Sequence, residues 1–176
     1  FYSRSPRLMR KMYNELVQPH LDYCSQLWAP TKEGMRMSEI EGVLRHFTKK
    51  IPATRNMNYW ERLQFLNMNS EQRRMERYRI IYVWKVFQKL VQDPGVQEIL
   101  HEHKGRLFDV PFTRDTKRLE SFQVFGPKLF NIMPKEIRDM KCSVEDFKTS
   151  LDSFLMFIPD EPSCPGLVPG AKDIIQ

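Results

Sequence analysis

A chain of 176 residues, 41% hydrophobic and 28% charged, is about one domain in size and can bury a real core. No stretch approaches the roughly 20 apolar residues that span a bilayer, and the opening residues FYSRSPRLMRKMYNELV lack the apolar run and cleavage site of a secretory signal. A soluble chain with no membrane partner is expected, and because it opens on Phe1 rather than methionine it reads as a piece of something longer.

Cys24, Cys142 and Cys164 are widely spaced, odd in number and without a C-x-x-C pair, which fits a reducing intracellular setting better than a disulfide framework. The net charge of +6 is unevenly spread: residues 1–92 carry 17 Lys and Arg against 8 Asp and Glu, residues 93–155 carry 10 against 11, and the remainder 1 against 3. A basic field confined to one half attracts polyanions, of which nucleic acid is the commonest inside cells.

Helical periodicity dominates the first half. Met9, Met12, Leu16 and Val17 recur at helical spacing, and Pro19 either kinks this helix or starts a second. Leu21, Cys24, Leu27 and Trp28 form the next apolar set, closed by APTKEG. Ile40, Val43, Leu44, Phe47 and Ile51 follow, stopped by Pro52, and then comes the short amphipathic stretch YWERLQFL. Ser70 is placed to cap a long helix reaching about Val91 and ended by QDPG.

The second half is more broken. HKGRLFDVPFTRDTKRLE alternates apolar residues around a proline and reads as an extended connector with room for a short strand. Helical spacing returns at Phe122, Phe125, Leu129 and Phe130 despite Pro127, MPKEIRDMKC offers a short helix from Pro134, and Ser143 with Asp146 suggests a capping box for a last helix carrying Phe147, Leu151, Phe154 and Leu155. The expected fold class is mainly α: a helical bundle over residues 1–92, a smaller helical extension with an extended connector over 93–157, and a disordered Pro/Gly-rich tail over 158–176.

HLDYCSQLW gathers a histidine, an aspartate, a cysteine and a serine. On one helix, at about 100° per residue, His20 and Cys24 lie about 40° apart on the apolar face, and Asp22 lies about 160° from His20. That aspartate cannot orient the histidine, so a local triad fails. Zinc would need two further ligands, and Cys142, Cys164, His101 and His103 lack finger spacing. A packed histidine and cysteine are expected here, with no metal and no cofactor. A glycine-rich phosphate loop, H-E-x-x-H, G-x-S-x-G and an adjacent aspartate pair for two magnesium ions are all missing. No catalysis by this chain alone is expected.

The basic half does offer surfaces. Behind the stripe Ile40, Val43, Leu44, Phe47 and Ile51, the residues Arg45 and Lys49 face away from the core, flanked by His46 and Lys50. In the long helix IIYVWKVF is apolar nearly all round and should be buried, while Arg73, Arg74 and Arg77 cluster on one side of its first turns. Tyr78, Tyr82, Trp84 and Phe87 are read as core rather than base-stacking residues. Arg45, Lys49, Lys50, Arg73, Arg74 and Arg77 are the candidate phosphate contacts.

Taken in order, LVQPHLDYCSQLWAP, RHFTKKIP, MNYWERLQFLNMNSEQRRMERYRIIYVWKVF and FGPKLFNIMPKEIRDMKCSVEDFKTSLDSFL resemble the region after the polymerase core in reverse transcriptases of non-LTR, LINE-type retrotransposons of the jockey and chicken-repeat-1 type. The likeness covers roughly residues 8–157 and is most specific at Pro19, His20, Leu21, Tyr23, Cys24 and Trp28. Members usually carry a tryptophan, an asparagine and a Leu-Pro pair where this chain has Phe130, Asn131, Met133 and Pro134. The resemblance implies a helical thumb that closes on the sugar-phosphate backbone of an RNA–DNA template-primer or on element RNA. It also implies packing on the palm and fingers of a parent RNA-directed DNA polymerase, in a nuclear and cytoplasmic ribonucleoprotein setting. The catalytic aspartates of that family belong to its palm, outside this stretch. Two other classes stand beside it: a helical protein-interaction module that binds no nucleic acid, and a small metal-binding regulator.

Overall fold

A computed structural model describes residues 4–30, 35–91, 102–103, 107–110, 112–119 and 121–160. The class is mainly α, as expected. Helix α1 (Pro6–Met12) starts where Ser5 caps it, its side chain accepting from the Leu8 N–H at 3.4 Å, with Pro6 pre-set in the first turn. A π-helical turn (Tyr13–Val17) follows, in which the Gln18 N–H reaches back to the Tyr13 carbonyl. Pro19, in the first turn of α2 (Gln18–Asp22), has no N–H to continue the α ladder, and its ring crowds the carbonyl four residues back. The wider turn rephases the chain. Tyr13 becomes fully buried, while Leu16, placed on the apolar stripe by a regular helix, is 62% exposed.

The single helix expected over His20–Trp28 is broken. Cys24 adopts a left-handed conformation (φ 52°) between α2 and α3 (Ser25–Trp28), and the Trp28 indole donates back to the Tyr23 carbonyl at 2.7 Å. His20 and Cys24 therefore do not share a helix face. His20 is exposed and Cys24 half-buried, which corrects the packed histidine expected there. Tyr23 and Leu27 are 77% and 65% exposed, so this apolar set is not core.

Helix α4 (Met35–Lys49) buries Leu44 and half-buries Ile40 and Phe47, and Ile51 is buried just beyond its end; Val43, at the edge of the expected stripe, is exposed instead. Thr48 is also buried, donating to the Leu44 carbonyl at 2.9 Å and accepting from Arg62 Nε at 3.2 Å. After a 3₁₀ turn (Pro52–Thr54), YWERLQFL forms α5 (Tyr59–Leu66), opened by a full capping box between Asn58 and Glu61. Helix α6 (Glu71–Phe87) begins at Ser70, whose hydroxyl accepts from the Arg73 N–H. It stops short of Val91, because Lys89 turns left-handed at φ 59°.

Strands β1 (Glu102–His103) and β2 (Leu107–Phe108) pair antiparallel, placing the expected short strand in the connector. Asn131 pins the connector to its helix: its amide accepts from the Phe108 N–H at 2.9 Å and donates to the Phe108 carbonyl at 2.8 Å. Then come α7 (Thr116–Leu119), α8 (Phe122–Ile132), α9 (Lys135–Arg138) and α10 (Val144–Met156). Pro127 does not interrupt α8. It removes one hydrogen bond near the helix start, and burial of Val124, Gly126 and Leu129 holds the helix together. Gly126 permits a close approach to α6: a Cβ there would stand 3.1 Å from the Val83 side chain.

The larger core joins the second half of α6 (Ile80, Val83, Trp84) to Phe130 of α8 and to Phe147 and Leu151 of α10. Trp84 stacks on Phe147 with centroids 4.2 Å apart. A smaller core unites Tyr13, Leu44 and Leu63. Helix α6 thus serves both halves of the chain, and packing runs across position 92. Residues 158–160, expected to begin the disordered tail, are instead docked: Ile158 is buried and Asp160 bonds to Ser70. The rest of that tail, 161–176, lies outside the described residues.

Candidate nucleic-acid interface

The six basic candidates divide into two groups. Arg45, Lys49 and Lys50 are exposed along α4 and its end, beside the exposed His46. Among the described residues no carboxylate pairs with any of the three basic residues; Arg45 instead lies over the Tyr59 ring, 5.0 Å from its centroid. Lys49 occupies the last turn of α4, where a cation complements the helix dipole.

Arg73, Arg74 and Arg77 are committed elsewhere. Arg73 is 5% exposed and donates to the carbonyls of Leu155 at 2.8 Å, Ile158 at 2.6 Å and Pro159 at 2.7 Å. Asp160 stands 3.6 Å from its Nε. Arg74 pairs with Asp22 at 2.7 Å, and Arg77 makes a two-point contact with Asp152. The structure does not bring the six together as one open surface. A helical wheel groups these arginines by phase, but it cannot show acids that arrive from 52 and 75 residues away, on α2 for Arg74 and on α10 for Arg77.

Two further arginines act as struts. Arg62 donates to Thr48 and to the Met57 carbonyl. Arg79 donates to the carbonyls of Ala29 and Pro30 and lies over the Phe125 ring; burial pulls its guanidinium down to about 10.

A polar network missed by the sequence surrounds the start of α6. Glu71 accepts from the Tyr13 hydroxyl at 2.7 Å and from Gln18 Nε2 at 3.1 Å. Gln18 also donates to Asp22, which accepts from Arg74 and the Tyr78 hydroxyl. Glu41 accepts from the Tyr59 hydroxyl and, at 3.2 Å, from the Gln72 N–H. Burial raises the Glu41 carboxyl to about 7, with its two donors opposing and Glu71 and Asp160 adding to the rise. Burial likewise raises Glu71, against its Tyr13 and Gln18 donors. Tyr13 and Tyr59 rise through burial and then through their carboxylate partners. The only local sequence signal for this network is the placement of Glu71 immediately after the cap.

Among the described residues no group of three His, Cys, Asp or Glu side chains is gathered to hold a metal ion. Cys142 is half-buried; Cys164, His101 and the His103 side chain lie outside what is described. Among the described residues no helix is long and apolar enough to cross a membrane. The sequence matches no family model, no curated protein and no solved structure.

Proposed function

We propose that this chain is a non-catalytic, thumb-like unit of a LINE-type RNA-directed DNA polymerase that holds the sugar-phosphate backbone of an RNA–DNA template-primer. The observation that carries it is the exposed ridge of Arg45, Lys49 and Lys50, three cations with no acid partner among the described residues. Phosphate contacts need such uncommitted charge, because counterion release supplies most of the affinity. The α6 arginines instead lock α6 to α2, α10 and the segment after α10. The palm and fingers of the parent polymerase would be its protein partners, in a nuclear and cytoplasmic ribonucleoprotein.

The test is binding to a labelled RNA–DNA hybrid across a salt series, with and without Arg45→Gln, Lys49→Gln and Lys50→Gln combined. Each lost phosphate contact should flatten the log–log slope by about 0.9, so the triple variant should lose roughly 2 to 3 if the duplex-DNA value transfers. An unchanged slope in a folded variant removes the ridge from the interface. A second reading, a protein-interaction module, is favoured by the exposure of Leu16, Tyr23, Leu27 and Trp28. It expects partner binding nearly insensitive to salt.

A further inference from the structure

Four carboxylates, Asp22, Glu41, Glu71 and Asp160, meet around the start of α6, and only two have a cation in salt-bridge contact. Asp22 has Arg74, and Asp160 has Arg73. Glu41 and Glu71 are both buried, are near enough to repel each other, and are held by neutral donors alone: tyrosine hydroxyls, a glutamine amide and a backbone N–H. Arg74, already paired with Asp22, offsets Glu71 only from beyond ion-pair distance, and two buried like charges with no ion pair of their own favour holding a proton on one of them.

We propose that Glu41, with Glu71 as its buried like-charged neighbour, is a proton-sensitive joint: a proton on its carboxyl keeps α4, α5 and α6 closed, and its loss to water loosens α4. Glu41 is the hinge pin, because its two oxygens tie α4 to α5 through Tyr59 and to α6 through the Gln72 N–H. The charged and titratable groups facing it are accounted for on each packed element. From α5 comes Tyr59, over which Arg62 lies at 5.6 Å; from α6 come Glu71 and, beyond it, Arg74. Tyr13 faces it from the π-helical turn and Asp160 from the segment after α10. On α4 itself Arg45 lies one turn further along, exposed and over the Tyr59 ring. Arg74 is paired with Asp22, Arg62 donates to Thr48 and the Met57 carbonyl, and Arg45 is turned to solvent, so among the described residues no cation forms an ion pair with either carboxylate. Arg45 and Lys49 sit one and two turns beyond Glu41, so a loosened α4 displaces the exposed ridge. The inference stands whether or not that ridge binds nucleic acid.

The test is amide hydrogen exchange of the full chain from about pH 5 to 8, corrected for the intrinsic base-catalysed rate. In the wild type the opening constant for α4 and α5 amides should rise by up to tenfold per pH unit and level off near 7, while α8 and α10 amides stay flat. Glu41→Gln should abolish the rise. Glu71→Gln, by removing the repulsion, should bring the plateau to lower pH. Tyr59→Phe, by removing a donor that favours the charged form, should push it higher and serves as the decisive variant if Glu41→Gln does not fold. An opening constant flat in pH, a slope that survives Glu41→Gln, or a plateau unmoved by both other variants overturns the proposal. A purely structural Glu41 would shift protection equally at every pH.

Discussion

Arg73→Met separates a structural arginine from a phosphate contact. The substitution keeps most of the buried stem but deletes a guanidinium bonded to the carbonyls of Leu155, Ile158 and Pro159 and standing beside Asp160. Each bond from a charged donor is worth about 1.5–3 kcal/mol, and the acceptors can recover part of that from water once the segment loosens. Removing one partner of a buried ionic cluster typically costs about 3–5 kcal/mol, so a loss of about 3 kcal/mol is expected for Arg73→Met. Asp160→Asn keeps an oxygen for the Ser70 N–H, and Asp160 is 23% exposed, so its cost should be nearer 1 kcal/mol. Equilibrium urea denaturation followed by tryptophan fluorescence and far-ultraviolet dichroism measures both. Residues 158–160 should also become open to limited proteolysis in Arg73→Met. A loss below about 0.5 kcal/mol, the range of a substitution at a solvated surface position, would refute the strut and return Arg73 to the candidate contacts.

Trp84→Ala, which empties the stack on Phe147 and removes the indole bond to the Met140 carbonyl, should cost about 3–5 kcal/mol by the same denaturation assay. Gly126→Ala would bring a Cβ to 2.9 Å from the Phe122 ring and 3.1 Å from Val83; overpacking of about 1–3 kcal/mol outweighs the helix-propensity gain of about 1, and a lowered Tm is expected. Glu41 makes the protein less stable as pH rises: its carboxyl is raised from 4.5 to about 7 in the folded state, so the neutral form's advantage is full below 4.5 and gone above 7. The wild type minus Glu41→Gln difference in urea stability should therefore shrink with pH across that window by up to about 3 kcal/mol. Asp152→Asn releases Arg77 from its two-point contact; if hybrid binding uses the α4 ridge, its salt slope stays unchanged, whereas a slope steeper by about 0.9 would place the α6 side in the interface.

Local signals were legible where they rest on neighbouring residues. Ser70 and Ser143 cap α6 and α10 as their spacing suggests, since a hydroxyl need only reach an N–H three residues on. In the Ser143 case the reciprocal contact differs: the hydroxyl donates to the Asp146 carboxylate at 2.7 Å. The apolar run IIYVWKVF buries Ile80, Ile81, Val83, Trp84 and Val86 and half-buries the rest, because it has almost no polar face to expose. The π-helical turn and the left-handed Cys24 have no local signal: regular helical phase over residues 9–17 and over 20–28 puts Leu16 and Leu27 on an apolar face, whereas the turn and the break leave both exposed and bury Tyr13. The basic ridge on α4 was legible because exposure follows from one helix's own phase.

The α6 arginines show why charge counting gives a field but not a site. The first half carries 17 basic against 8 acidic residues, yet that surplus is not available in proportion. Two of the acids that hold α6 arginines, Asp152 and Asp160, lie in the second half, so the two halves neutralise each other across the fold. Buried arginine is favoured for such work because its planar fork satisfies several acceptors at once, as Arg73 does with three carbonyls. Uncommitted charge is left where a helix presents cations to solvent and its acids inward. On α4 Glu41 points into the interior while Arg45 and Lys49 face out. One helix therefore carries both the open basic ridge and the buried carboxylate that anchors it, and the position of the ridge is tied to the charge state of the joint beneath it.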